Sequence, residues 1–87
     1  MAKITVKVTD PVGLHARPAS IVVSAASKFA SDITISSEGK SGNLKSIMNV
    51  MALGVKQGQE ITIEAKGADA DNAVAEIKKV MKENNLV

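Results

Sequence analysis

What most constrains the fold of this chain is a hydrophobic period that changes back and forth along its length. Residues 3–9, KITVKVT, alternate Ile4, Val6 and Val8 with Lys3, Thr5 and Lys7, the two-residue period of a strand with one buried face. DPVG (10–13) breaks the alternation with proline and glycine. From Ala16 the period becomes helical: Ala19, Val22, Val23, Ala26 and Phe29 or Ala30 share a face, opposite Ser20, Ser24, Ser27 and Lys28. DITIS (32–36) alternates again, with Ile33 and Ile35 inward; SEGK (37–40) supplies a turn, and KSGNL (40–44) reads as a short returning strand. KSIMNVMALG (45–54) reads as a short helix with Ser46 at its N-cap and Gly54 just past its end. QGQ (57–59) leads into the strand EITIEA (60–65), and the last helix falls in GADADNAVAEIKKVMKENN (67–85). There Asp69 or Asp71 is the expected cap, Ala70, Val74, Ile77 and Met81 form the apolar stripe, and Lys78, Lys79 and Lys82 suit the negative end of the dipole.

The predicted order is β-α-β-β-α-β-α in a single domain, residues 1–87, with no repeat or low-complexity tract. A sheet with one apolar face must be covered, and three amphipathic helices suffice. The expected architecture is α+β in two layers, the opposite sheet face lying in water. With Phe29 as the only aromatic residue, Ile, Val, Leu, Met and Ala must fill the interior.

Composition narrows the partners. Eleven basic residues against nine acidic ones leave a net charge of +2, which gives no strong electrostatic reason to expect nucleic acid or an anionic membrane. An RNA-binding sheet would need surface aromatics for base stacking, and Phe29 lies in a helical pattern. The absence of cysteine rules out disulfides and thiolate chemistry and suits a reducing cytoplasm. The N-terminus alternates instead of presenting an apolar leader core, and no stretch is long enough to span a bilayer. A soluble cytoplasmic monomer without membrane insertion is therefore expected.

GLHARPAS (13–20) holds the only histidine. With His15 as N-cap, Ala16, Arg17 and Pro18 form the first turn, where a proline is tolerated because the first amides have no intrahelical partner. Pro18 disfavours helical geometry at Arg17, so a slightly irregular start is expected. The spare backbone amides of Ala16 and Arg17 and the positive dipole end make an anion site, and Arg17 adds a planar donor matched to phosphate oxygens. A phosphoryl group placed on the His15 ring would meet these same groups. On spacing alone, His15 also reads as a surface turn residue beside a solvated arginine. No second histidine and no cysteine exist to complete a usual metal site, so none is expected, nor any cofactor. A hydrolytic triad or a phosphohydrolase would need a further acid–base partner that nothing marks.

GLHARPAS together with LKSIMNVMALG closely resembles the histidine-containing phosphocarrier (HPr) family of the bacterial sugar phosphotransferase system, and the likeness runs along essentially the whole chain, including the GADA lead into the last helix. The resemblance implies an open-faced β-sandwich, a four-stranded antiparallel sheet covered on one face by three helices. It implies that His15 is phosphorylated on Nδ1 by enzyme I charged from phosphoenolpyruvate. His15 then gives the group to the IIA component of a sugar permease, with Arg17 assisting at the phosphate. On this reading the protein is a covalent carrier and not an independent enzyme.

Ser46 has a plain structural role as an N-cap worth about 1 kcal/mol, without a standard capping box because Asn49 stands three residues on. LKSIM resembles the Gram-positive branch of the family, in which this serine is phosphorylated by an ATP-dependent HPr kinase/phosphorylase and then commonly creates a corepressor for a transcription regulator. A phosphate there suits the helix dipole, while its charge opposes docking of partners beside it. IMNVMAL (47–53) has more apolar residues than one helical face can bury. Val50 and Leu53, with Leu44, are assigned to the core. Ile47, Met48 and Met51 either fill a core that lacks aromatics, which methionine does readily, or form an exposed partner-binding patch, extended by Ile21 with Ser20 and Ser24 on the first helix; the patch is the expectation adopted. Against common family patterns, Ser24 replaces a longer polar residue, Asn49 replaces a frequent glycine, and the NNLV tail lacks an acidic residue.

Overall fold

A computed structural model describes all 87 residues. The strands β1 (Ala2–Lys7), β2 (Asp32–Ser37), β3 (Lys40–Asn43) and β4 (Glu60–Lys66) alternate with the helices α1 (Ala16–Ala26), α2 (Ile47–Ala52) and α3 (Ala70–Glu83) in the expected order. The four strands form one sheet in the order β1-β4-β2-β3, and every neighbouring pair is antiparallel. Register follows the alternation: Ile4 stands opposite Ile63 and Ile35 opposite Ile63 on the other side, so the isoleucines line one face. The fold is the α+β open-faced sandwich with a four-stranded antiparallel sheet under three helices.

Burial explains why this arrangement holds. Ile33, Ile35, Ile61 and Ile63 on the two central strands are essentially inaccessible, as are Val22 of α1, Val50 of α2, and Ile77 and Met81 of α3. Each such side chain stabilises the fold by roughly 1.5–3 kcal/mol relative to exposure. On the edge strand β1, Ile4 and Val6 are only half-buried, packed against the core from the margin of the sheet. The other face is polar: the hydroxyls of Thr5 and Thr62 meet at 3.1 Å across β1 and β4, and Lys3 and Lys7 stand opposite Glu64 and Glu60. β2 and β3 are joined through Glu38 and Gly39, both with positive φ (52° and 78°), the two-residue turn whose twist matches that of the strands.

Three local expectations change. α1 stops at Ala26, where the Ser27 hydroxyl donates to the Val23 carbonyl at 2.8 Å and the amides of Lys28 and Phe29 reach back only three residues; Phe29 is half-buried and Ala30 exposed. Leu53 is likewise half-buried, packed at the margin of the core as the C-cap of α2. Asp69 occupies the N-cap of α3 but does not cap it with its side chain. Its carboxylate instead accepts from the amides of Ala30 (2.9 Å) and Ser31 (3.0 Å) and from the Ser31 hydroxyl. Those amides lie just before β2 and have no ladder partner, and the carboxylate satisfies them. Hydrogen bonding, chiefly from the Ser31 hydroxyl and then from the Ala30 amide, holds the Asp69 carboxyl below its ordinary range.

Candidate functional site

The segment from Thr9 to Leu14 delivers His15 to the start of α1, and it is tied at both ends. The amides of Thr9 and Asp10 donate to the Leu86 carbonyl (2.9 and 3.4 Å), and the Leu14 amide donates to the Val55 carbonyl at 3.0 Å. Between them, the Val12 amide donates to Asp10 Oδ1 at 2.9 Å and the Gly13 amide to the Asp10 carbonyl at 3.0 Å, an Asx turn closed by its own backbone. Gly13 has φ +82°, and a β-carbon there would collide with the Val55 carbonyl and the Lys56 backbone. Only glycine satisfies both conditions.

His15 is the N-cap, with extended geometry (φ −89°, ψ −169°), and its carbonyl accepts the first helical bond from Ala19 at 2.9 Å. The amides of Ala16 and Arg17 precede that first bond and find no partner within the protein, and Pro18 has no amide to offer. α1 is helical from Ala16 onward, with Pro18 in its first turn. The imidazole makes no capping bond. Its side chain is 43% exposed, with Nε2 lying 3.9 Å from Asp10 Oδ1. Arg17 is exposed and forms no ion pair. Chemically, the helix end offers two free amides and a dipole end beside an accessible imidazole, with an exposed, unpaired arginine two residues along the chain, features suited to a phosphoryl group.

Ser46 caps α2 (φ −117°, ψ 116°), its oxygen accepting from the Asn49 amide at 3.3 Å. The Asn49 side chain adds a second bond, Nδ2 donating to Ser46 Oγ at 3.1 Å, while its Oδ1 accepts from the Asn43 amide at 3.1 Å. Asn49 thus replaces the capping-box glutamate with a clamp between Ser46 and the end of β3. Ile47 (41%), Met48 (81%) and Met51 (45%) are exposed, whereas Val50 and Leu44 are buried. On α1, which packs against α2, Ser20 and Ser24 are exposed and Ile21 is half-buried.

No group of three His, Asp or Glu side chains is placed to hold a metal ion, and no helix is long and apolar enough to cross a membrane. The largest concavity lies elsewhere, over the polar sheet face, lined by residues such as Thr5, Lys7, Ser36 and Glu60 and by no apolar side chain. Two features of the site escape a reading by motif. Asp10 reads there only as part of a strand break, although an Asp two residues before a free amide in D-P-x-G is the signature of an Asx turn. The clamp made by Asn49 also goes unseen, because its second partner, Asn43, lies on another element.

Residues 2–83 match the family model described as the PTS HPr component phosphorylation site. The chain is 58% identical over 87 residues to the phosphocarrier protein HPr of Mycoplasma capricolum subsp. capricolum, covering all of this chain and 98% of that protein. It is 49% identical over 88 residues to the phosphocarrier protein HPr of Mycoplasma pneumoniae, covering both in full. In structure it superposes with a TM-score of 0.97 and 57% identity on a histidine-containing phosphocarrier protein, described as evidence for the divergence of Mycoplasma from Gram-positive bacteria, over 99% of this chain and 98% of that one. The chain belongs to the HPr family of phosphocarrier proteins of the phosphotransferase system.

Proposed function

We propose that His15 receives a phosphoryl group from enzyme I, charged by phosphoenolpyruvate, and gives it to the IIA component of a sugar permease. The observation that carries this reading is an exposed ring at the N-cap, beside the unpartnered amides of Ala16 and Arg17. The Nδ1 lone pair attacks phosphorus, the new N–P bond forming as the bond to the donor's leaving atom breaks. Each amide bonding to the charged phosphoryl oxygens contributes about 1.5–3 kcal/mol, and the Arg17 fork offers two parallel donors. Phosphoryl transfer asks chiefly for such positioning and charge stabilisation. Two partners must reach the ring in turn, which suits an open site without a lid. The protein is then a carrier consumed and regenerated by its partners, not an enzyme. It works in the cytoplasm, as a monomer formed from residues 1–87 as one unit.

Ser46 is the regulatory site in this reading, modified by an ATP-dependent HPr kinase/phosphorylase, and its phosphorylated form is what a transcription regulator recognises. Ser20, Ile21, Ser24, Ile47, Met48 and Met51 are the docking surface. Their exposed sulfurs and methyls offer adaptable apolar contact to several partners. A phosphate at Ser46 sets a charge of about −1.5 to −2 beside that surface and opposes docking.

The test is incubation with enzyme I and labelled phosphoenolpyruvate. The protein is expected to gain one acid-labile phosphate and His15→Ala none; equal labelling of that variant overturns the reading.

A further inference from the structure

We propose that Asp10 is a positioning residue for His15: its carboxylate, fixed in the Asx turn 3.9 Å from Nε2, holds the ring proton on that nitrogen and leaves the Nδ1 lone pair free to meet phosphorus. The part of this inference that concerns transfer rests on the carrier reading above; the part that concerns the ring does not.

Asp10 is held at three points. Its amide donates to Leu86, its carbonyl accepts from Gly13, and Oδ1 accepts from Val12. Backbone and side chain are therefore both fixed, and the side chain is 21% exposed. An Asx turn needs only an acceptor oxygen, which asparagine supplies equally well. The negative charge is surplus to the turn, and it stands next to the ring. Asp10 is the one carboxylate within 4.0 Å of His15. The other charged groups of the two segments that flank the ring, Arg17 on α1 and Lys56 behind Gly13, are cations and cannot replace it.

A contact of 3.9 Å is too long for a hydrogen bond, so the effect is electrostatic. A carboxylate favours the tautomer that turns an N–H toward it, and that N–H belongs to Nε2. When Nδ1 attacks, the N–P bond forms as the phosphorus–donor bond breaks, and no proton leaves the ring. The phosphorylated ring keeps hydrogen on Nε2 and carries a positive charge facing Asp10. Handing the group on returns the N–P electron pair to Nδ1 and restores the neutral ring, so the carboxylate serves both directions of the exchange.

The test uses nitrogen-15 NMR of the imidazole in the intact, unphosphorylated protein, at a pH where the ring is neutral, in wild type, Asp10→Asn and Asp10→Ala. Asp10→Asn keeps the turn and removes the charge. The ratio of the Nε2–H to the Nδ1–H tautomer is expected to fall about twofold, because the ring is neutral in both forms and only the displacement of its proton across the ring meets the carboxylate's charge at near-aqueous screening. Single-turnover transfer from phosphorylated enzyme I is expected to slow by up to about fivefold in Asp10→Asn, with half-saturation unchanged, because the positive charge that forms on the ring then lacks the carboxylate 3.9 Å away. Asp10→Ala should show the same loss together with a lower melting temperature, because the turn is lost as well. A tautomer ratio in Asp10→Asn equal to that of wild type overturns the inference, whatever the transfer rate. If wild type takes no phosphate while the ratio still falls, Asp10 retains its role on the ring and it is the carrier reading that fails.

Discussion

Replacing Gly13 by alanine tests whether the placement of His15 depends on the close approach of two loops. The backbone at Gly13 has φ +82°, and a β-carbon would overlap the Val55 carbonyl and press on the Lys56 Cα, which as backbone cannot swing aside. The left-handed conformation alone costs an L-residue about 1–2 kcal/mol. Relieving the overlap requires the two segments to part, which breaks the bond from the Leu14 amide to the Val55 carbonyl, a further loss of about 0.5–1.5 kcal/mol. The expected destabilisation is about 1.5–3.5 kcal/mol, which for a domain of this size lowers the melting temperature by roughly 6–28 °C. Gly58→Ala is the internal control: φ is +89°, but nothing lies within 4 Å of the added carbon, so only the conformational cost applies. Urea unfolding of the three proteins gives both figures, and the rate of His15 phosphorylation shows whether the helix start has moved. If Gly13→Ala is no less stable than Gly58→Ala and takes phosphate at the wild-type rate, the contact does not position the histidine and the reasoning is wrong.

Three further outcomes are expected. Ser46→Asp should slow phosphorylation at His15 while hardly changing thermal stability, because aspartate is as good an N-cap as serine; an unchanged rate in the enzyme I assay removes the docking-block role. Met48→Asp, at a side chain 81% exposed, should weaken binding to enzyme I in a titration without lowering the melting temperature by more than a few degrees, since surface substitutions usually change stability by under about 0.5 kcal/mol. Asp69 has a lowered carboxyl pKa in the folded state, so the unfolded chain takes up its proton first as pH falls. The stabilisation from this carboxylate is complete above the ordinary carboxylate range and is lost as pH descends through it toward the folded value. Asp69→Asn should therefore be less stable than wild type near neutrality, and the gap should close in acid melts; a gap that stays constant with pH contradicts the sign.

The strands were legible because their alternation is unambiguous: Ile33, Ile35, Ile61 and Ile63 all point where a two-residue period puts them. His15 as N-cap and Ser46 as N-cap were legible for a different reason, since caps are local and their signals lie within a few residues. What sequence could not show is what depends on contacts between distant segments. Asp69 has the residue type and position of a helix cap, yet its carboxylate is taken by amides 38 and 39 residues away. Phe29 falls on the apolar face of α1 by count, but the helix ends three residues before it. The exposure of Ile47, Met48 and Met51 followed from a simple excess of apolar residues over available core, which is a property of composition within six residues. The docking role proposed for them rests on that contiguous apolar exposure and on the adaptability of methionine, and exposure by itself names no partner.

The most direct test of the account is a chase. Protein labelled from phosphoenolpyruvate through enzyme I is isolated, the phosphate is located, and a IIA component is added. The account predicts one phosphate per chain on Nδ1 of His15, lost from this protein and recovered on IIA mole for mole. Label that resides on any other residue, or that stays on His15 in the presence of an active IIA, would contradict it.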